Sequence, residues 1–361
     1  MRIDFTSSRW SELKDIYEKW WKKELSRPII AISHPKDNIS PDPLPNVPVL
    51  SQKSCHDLSV SAEDLIEKLD YSLSNRVYLG DAYPKVNLSS FGPGVVAAFL
   101  GCRLDNSSGG VWFYPPDNAK NIEDIHFKYD KNNVWLKRIK EICAAGIKKW
   151  NGQVMIGMPD MGGTMDILAS VRTTEELLFD LYDNEKEVKR LINEIHELWF
   201  KFYDEINEIL QPVNPGYSDW NSIFSQTPSY ILQCDFSYMI GNEMFCEFAL
   251  DEIKRSCKRL HRSYYHLDGI NSLPHLETLL KIEELNAIQW VPGDGQPGCD
   301  AWGDVYRKIR AAGKNAHIFG KLDVVPNLYN ELGDLKSFSY VRDHNDTNPE
   351  QAKQIIKEYA K

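Results

Sequence analysis

The chain has 361 residues, 42 basic and 52 acidic, for a net charge of −10, with 42% hydrophobic and 11% aromatic content. That excludes a disordered chain, whose signature is low hydrophobicity with high net charge. The acidic balance also argues against nucleic acid or an anionic membrane surface as partner, since both need clustered Lys and Arg.

At roughly 150 residues per domain the length suggests about two domains, but a single (β/α)8 barrel with insertions fits equally. The first residues, among them Arg2, Asp4, Arg9 and Glu12, contain no apolar signal segment. No stretch approaches the roughly 18 apolar residues of a membrane span. Seven scattered cysteines without a CxxC read as reduced thiols. A cytoplasmic protein is expected.

Trp10 to Leu25 has apolar positions near helical spacing and reads as a helix ended at Ser26-Arg27-Pro28. Ile29 to Ile32 reads as a short strand. Pro35 to Pro48 holds five prolines and reads as an extended connection. Ser61 to Ser72 is helical, with Ser61 as N-cap and Asp64 three residues on. These first eighty residues are expected to form an extension packed on the outside of a barrel spanning 81–361.

From there, short apolar runs alternate with amphipathic helices. The strand candidates are Val86–Ser90, Val154–Met158, Gly216–Trp220 and Ile231–Asp235, then Tyr264–Asp268, Ala287–Val291, Ala316–Phe319 and Phe338–Arg342. Helices are expected at Glu185–Leu210, Glu243–Arg262, Pro274–Leu285, Trp302–Ala312 and Pro349–Tyr359. Strand–helix–strand spacing implies parallel βαβ units, and eight of them imply a closed (β/α)8 TIM barrel, an α/β fold. Val111–Tyr114 is placed in a hairpin beside the barrel mouth. An open doubly wound sheet is the alternative, disfavoured because no GxGxxG follows the first strand.

Barrel enzymes work at the C-terminal strand ends. Here those ends carry Asp160, Asp219-Trp220, Cys234-Asp235, His266-Leu267-Asp268, Asp294, Gly320-Lys321 and Arg342-Asp343-His344. Singly, each acid reads as an N-cap, Asp294 as a turn residue between glycines, and Cys234 as core. His317 starts its strand and is placed at the structural end. His266 and Asp268 differ, because residues i and i+2 of a strand share a face, and a buried His–Asp pair needs a partner, solvent or metal. His266, Asp268 and Asp235 are therefore the candidate catalytic residues. His266 and Asp268 with Asp343 are the candidate metal ligands for a divalent ion such as zinc. Asp160, Trp112, Trp220, Tyr238, Arg342 and His344 are candidate substrate contacts. Of Trp112, Tyr114, Trp220, Phe236 and Tyr238, at least two are expected to line the mouth; the alternative is ordinary core. There is no GxxxxGK[ST], HExxH or GxSxG.

Several blocks in order resemble the uroporphyrinogen decarboxylase superfamily. They are Cys234-Asp235-Phe236-Ser237-Tyr238-Met239-Ile240 with Glu243 to Leu250, Tyr265-His266-Leu267-Asp268-Gly269, the run ending at Pro292, Gly320-Lys321-Leu322-Asp323, and Asn348-Pro349-Glu350. The resemblance covers about residues 85–361. It implies a (β/α)8 barrel with a cleft at its C-terminal mouth. It also implies either decarboxylation of a porphyrin precursor or methyl transfer to or from corrinoid proteins and thiols. Two departures bear on the choice. The decarboxylase Asp after the first barrel strand falls on or near Gly92, and only Arg27 stands where the decarboxylase has an Arg-rich segment. The methyltransferase zinc site, His-x-Cys plus a Cys in the last barrel loop, is here His266-x-Asp268 with Arg342-Asp343-His344. The resemblance thus favours methyl transfer involving a corrinoid on a partner protein or a small methylated substrate. The runner-up is a uroporphyrinogen-type decarboxylase. From a different class, a non-catalytic paralogue binding a tetrapyrrole or small ligand also fits.

Overall fold

The computed structural model describes residues 3–38, 43–117 and 121–360. Its first elements are α1 (Ser7–Trp21), β1 (Ile29–Pro35), α2 (Ala62–Ser74), β2 (Arg76–Gly80), β3 (Lys85–Val86), α3 (Val96–Phe99), β4 (Arg103–Asp105) and β5 (Trp112–Tyr114). Then come α4 (Val134–Trp150), β6 (Met155–Ile156), α5 (Thr164–Arg172), α6 (Thr174–Asp183), α7 (Glu185–Leu210) and β7 (Ser229–Gln233). The last part holds α8 (Asn242–Phe248), α9 (Leu250–Arg259), β8 (Arg262–Asp268), α10 (Leu276–Leu280), β9 (Ala287–Val291) and α11 (Gly303–Ala311). It closes with β10 (Asn315–Ile318), α12 (Val324–Leu332), β11 (Phe338–Asp343) and α13 (Pro349–Tyr359).

The central sheet has seven strands in the order β2-β1-β11-β10-β9-β8-β7. All neighbours are parallel except β1 and β2. The α/β class and the parallel sheet expected from the strand–helix alternation are present. Among the described residues no single ladder closes the sheet. β3 and β6 pair with each other, and the expected third strand, 216–220, makes only an isolated bridge between Tyr217 and Ser225. The physical reason lies in Asp219. Its Oδ2 accepts the Ile231 N–H at 2.9 Å, so a side chain takes a donor on β7 that a neighbouring strand would otherwise use.

The first eighty residues, expected outside the barrel, contribute β1 and β2 to the sheet itself. Ile29-Ile30-Ala31-Ile32 is a buried, β-branched run of the kind parallel strands carry. It is anchored by buried Asp81, whose Oδ2 accepts from Ile30 N at 2.9 Å while both oxygens take the Arg27 guanidinium.

α1 closes the end of the sheet where the strands begin. Its Trp10, Leu13, Tyr17, Trp20 and Trp21 are buried, each worth on the order of 2 kcal/mol of apolar transfer. Trp20 Nε1 donates to Phe338 O at 3.1 Å, and Asn315 Nδ2 donates to Trp20 O at 2.8 Å. Ser61 caps α2 by accepting from Asp64 N, as the spacing predicts. The helix expected over 243–262 is broken at Ala249 into α8 and α9, and 270–275 is a 3-10 segment leading into α10. The hairpin expected around 111–114 is present as β4–β5. Among the described residues no helix is long and apolar enough to cross a membrane.

Candidate functional site

The site grows out of one register line across the sheet. Gln233 on β7 pairs with His266 on β8, His266 with Gln289 on β9, Gln289 with His317 on β10, and His317 with Ser339 on β11. Partners in a parallel ladder share a face, so five strands place a polar layer on one side of the sheet. His266 Nδ1 lies 2.5 Å from Gln289 Oε1, and Gln289 Nε2 donates to Asn221 Oδ1 at 3.0 Å. His317 Nδ1 lies 2.9 Å from Ser339 Oγ, and burial holds the His317 imidazole down to about 3, neutral at ordinary pH. His317 therefore belongs to this layer, not to the structural end where its apparent position at a strand start put it. β10 begins two residues earlier, at Asn315.

The Gln289 amide fixes the His266 tautomer. With Nε2 committed to Asn221, the amide presents Oε1 to His266, so Nδ1 carries the proton and Nε2 keeps its lone pair. That bare nitrogen lies 3.9 Å from Asp268 Oδ2. Ligand atoms of Asp235, His266 and Asp268 all lie within 4.8 Å of one another. Burial lowers the pKa of His266, and the Asp268 carboxylate opposes that shift. Trp220 stands edge-on to the imidazole, with ring centroids 5.3 Å apart.

Asp235 follows β7 at a bend held by Asp166 in the first turn of α5. The Asp166 carboxylate accepts from Asp235 N at 3.1 Å and Phe236 N at 2.7 Å. The Asp235 carboxylate is reachable from the cleft yet ringed by protein. Desolvation first, then the charges of Asp166, Asp160 and Asp268, push its pKa well above the usual carboxylate range. Asp160 accepts from Gly162 N at 3.0 Å and Gly94 N at 3.4 Å, and burial pushes its carboxyl up to about 7. A Cβ built on Gly92 would lie 2.7 Å from Asp160 Cβ. Asp160 therefore leaves no room for a side chain on residue 92.

Two cavities flank the cluster, each lined by one of its carboxylates, and His266 lines neither. One, of about 520 Å³, is lined by Asp235 and by Trp112, Tyr114 and Phe236. The other, of about 650 Å³, is lined by Asp268, Asp294, Asp300 and Lys321. A third, of about 850 Å³, lies by Ile122, His126 and Arg172 and holds none of the clustered residues. Converging donor groups, not volume, mark the candidate site. Tyr238 packs over Gly269, where a Cβ would lie 2.6 Å from its ring.

Three expected residues are not brought to the cluster. Asp343 is taken by Arg76 and Ser33, and Asp235 stands with the His266–Asp268 pair in its place. Arg342 alternates with Val341 and Asp343 and so faces away from the interior. It clamps Gly320 O at 2.9 Å, Thr347 Oγ1 at 3.0 Å and Asp346 at 2.7 Å. His344 is exposed in the following loop. Sequence reasoning missed Gln289, Gln233, Asn221 and Asp166 as site residues. Gln289 did carry a signal, as the one polar residue inside Ala287–Val291; Asp166 carried none beyond being an acid in a first helical turn.

No cysteine joins the cluster. Cys234 is buried, with its thiol pushed well above the usual range by desolvation and nearby carboxylates. The donor set is one imidazole nitrogen and two carboxylates. The chain matches no protein-family model, and no curated protein matches its sequence.

Proposed function

We propose that the chain is an enzyme of the uroporphyrinogen decarboxylase superfamily that transfers a methyl group at the C-terminal mouth of a (β/α)8 barrel. The closed barrel is part of the reading. A run of bonds from Ile231 through Asp219, with Met158 N on Ser218 O and Gly157 N on Val86 O, supports a path joining β7 to β6 and β3. The observation that carries the function is the convergence of Asp235, His266 and Asp268, with one cavity against Asp235 and another against Asp268.

The cluster fits a divalent cation. One imidazole with a bare Nε2 and two carboxylates is a donor set that zinc accepts while keeping an open position, and the Gln289 amide orients the imidazole as outer hydrogen bonds do for metal-binding histidines. Such a cation would supply Lewis-acid activation of a nucleophile at neutral pH. The chain's own residues do the rest. Trp220 and the Gln289–Asn221 pair hold His266 in place, and the Trp112–Tyr114–Phe236 wall offers an apolar face against which a methylated group can be oriented. In the transfer the methyl carbon leaves its donor without the bonding pair, which stays on the donor, and a lone pair of the acceptor forms the new bond. Donor and acceptor must meet at one point, and a cavity on either side of the cluster offers each a place. A corrinoid on a partner protein is a chemically suitable carrier.

Asp160, with a carboxyl titrating near neutrality beside Gly92, favours uroporphyrinogen-type decarboxylation as the second reading. Against it, among the described residues Lys321 is the one basic side chain lining the two cavities, too few for a polycarboxylate. The test is titration of metal-free protein with Zn²⁺, followed by methylcobalamin and a small thiol, watching the methyl–cobalt absorbance. We expect one equivalent of metal, its loss in His266→Ala, and metal-dependent demethylation. A protein that binds no divalent metal and demethylates nothing overturns the proposal, and a visible tetrapyrrole spectrum on purification would turn it toward the decarboxylase or binding paralogue.

A further inference from the structure

The cavity of about 520 Å³ beside Asp235 has an unusual lining. Trp112, Tyr114 and Phe236 form its wall, and Trp112 and Tyr114 are 60% and 43% exposed, large apolar faces with little protein over them. Its ionisable lining residues that are charged when free in water are the acids Asp166 and Asp235, and no Lys or Arg is among its described lining residues. Burial, and for Asp235 the neighbouring carboxylates, push both carboxyls upward, so a cation seated beside them favours their ionised form, while a phosphate or carboxylate would meet only acids.

Gln233 adds a directional feature. It lines the same cavity, is only 4% exposed, and its Oε1 is buried without any hydrogen-bond partner. A buried amide carbonyl left unpaired is costly, and buried polar atoms in folded proteins are nearly always satisfied. The group that completes this one must donate. Tyr114 shows that a ring of this wall accepts a cation, because the Arg103 guanidinium, opposite it in the β4–β5 hairpin, lies 5.5 Å over its centroid.

We propose that this cavity binds a protonated, alkyl-substituted amine, the Gln233 amide turning to set its Oε1 on the ligand's N–H, with the ligand's charge between the Trp112–Tyr114 wall and Asp166. The wall supplies the cation–π and apolar contacts that N-alkyl groups seek. The Gln233 carbonyl selects ammonium ions that retain an N–H over quaternary ones. This deepens the proposed methyl transfer by naming the class of donor. The C–N bond of the ammonium breaks, its pair stays on nitrogen, and a neutral amine departs while the acceptor's lone pair takes the methyl group.

The test measures binding alone, on metal-free full-length protein with no acceptor present, by calorimetry with four probes: benzyldimethylammonium, benzyltrimethylammonium, phenylacetate and benzyl alcohol. The expected result is that benzyldimethylammonium binds at least tenfold tighter than phenylacetate or benzyl alcohol. Gln233→Met, which keeps the side-chain length, should weaken benzyldimethylammonium at least fivefold and leave benzyltrimethylammonium unchanged. Trp112→Ala, on an exposed hairpin position that bears little on folding, should weaken both ammonium probes. The proposal is overturned if phenylacetate or benzyl alcohol binds within threefold of the ammonium ions, if no ammonium ion saturates, or if folded Gln233→Met treats both ammonium probes as wild type does. Loss of metal binding or of methyl transfer would leave a positive result standing. A cavity that takes no ammonium ion would leave the metal cluster standing.

Discussion

His266 Nδ1 and Gln289 Oε1, on adjacent strands at one register position, lie 2.5 Å apart, and this contact decides which imidazole nitrogen faces the two carboxylates. Removing it should loosen the imidazole and free its tautomer. Gln289→Leu is expected to weaken Zn²⁺ binding about 10- to 100-fold, the effect typical of losing an outer hydrogen bond to a metal-binding histidine. It should cost stability by about 1–3 kcal/mol, since Asn221 and His266 each lose a buried partner. Calorimetric titration and urea unfolding measure the two separately. Unchanged metal affinity in a folded variant would refute the role given to Gln289.

The two carboxylates considered for the metal should separate cleanly. Asp268→Asn is expected to abolish Zn²⁺ binding with little change in melting temperature, because Asp268 is half-exposed at the end of β8. Asp343→Asn should bind metal as wild type does and lose about 1 kcal/mol, because its carboxylate is partly solvated and serves Arg76 and Ser33. Metal loss in Asp343→Asn alone would restore the assignment read from sequence.

Gly269 sits at φ 81°, ψ 148°, a region nearly reserved for glycine, directly beneath the Tyr238 ring. Gly269→Ala combines about 1–3 kcal/mol of backbone strain with a clash against that ring. The expected outcome is a loss of about 3 kcal/mol in urea unfolding, and a displaced Tyr238 seen as changed tyrosine fluorescence. A variant as stable as wild type would show that the turn tolerates a Cβ.

Glu252, buried on α9, accepts from Thr164 Oγ1 at 2.7 Å and from Ser256 Oγ at 3.4 Å. Burial raises its carboxyl from 4.5 to about 7. An acid whose folded pKa is raised loses stability as pH rises. Both states are protonated below 4.5, the unfolded state alone ionises between 4.5 and about 7, and above that the full cost is present. Glu252→Gln keeps the Thr164 hydroxyl on its Oε1 and offers an N–H to Ser256 Oγ, without the ionisation. Its advantage over wild type should grow from near zero at pH 4 to up to about 3 kcal/mol at pH 8, at roughly 1.4 kcal/mol per pH unit. Unfolding midpoints measured across that range check it; parallel curves for the two proteins would refute it.

Much of the fold was legible because it is local. α7 and α13 begin and end where amphipathic spacing and the Asn348-Pro349 cap set them, and Ser61 caps α2 through a neighbour three residues away. The two-residue period of a strand put His266 and Asp268 on one face without knowledge of the rest of the chain. The same period, applied to β11, also turns Arg342 away from the site.

What only the tertiary structure decided depends on register and on competition between groups distant in sequence. Which strand lies beside which sets the line from Gln233 through His266 and Gln289 to His317 and Ser339, and no local pattern encodes that alignment. Asp343 looked as able to join His266 as Asp235 did, until Arg76, delivered by a strand from the first eighty residues, claimed its carboxylate. The sequence by itself determined which faces of their own elements the candidate side chains share. Folding determined their partners, because a carboxylate or an imidazole takes its role from the one group within about 3 Å, and that group can come from anywhere in the chain.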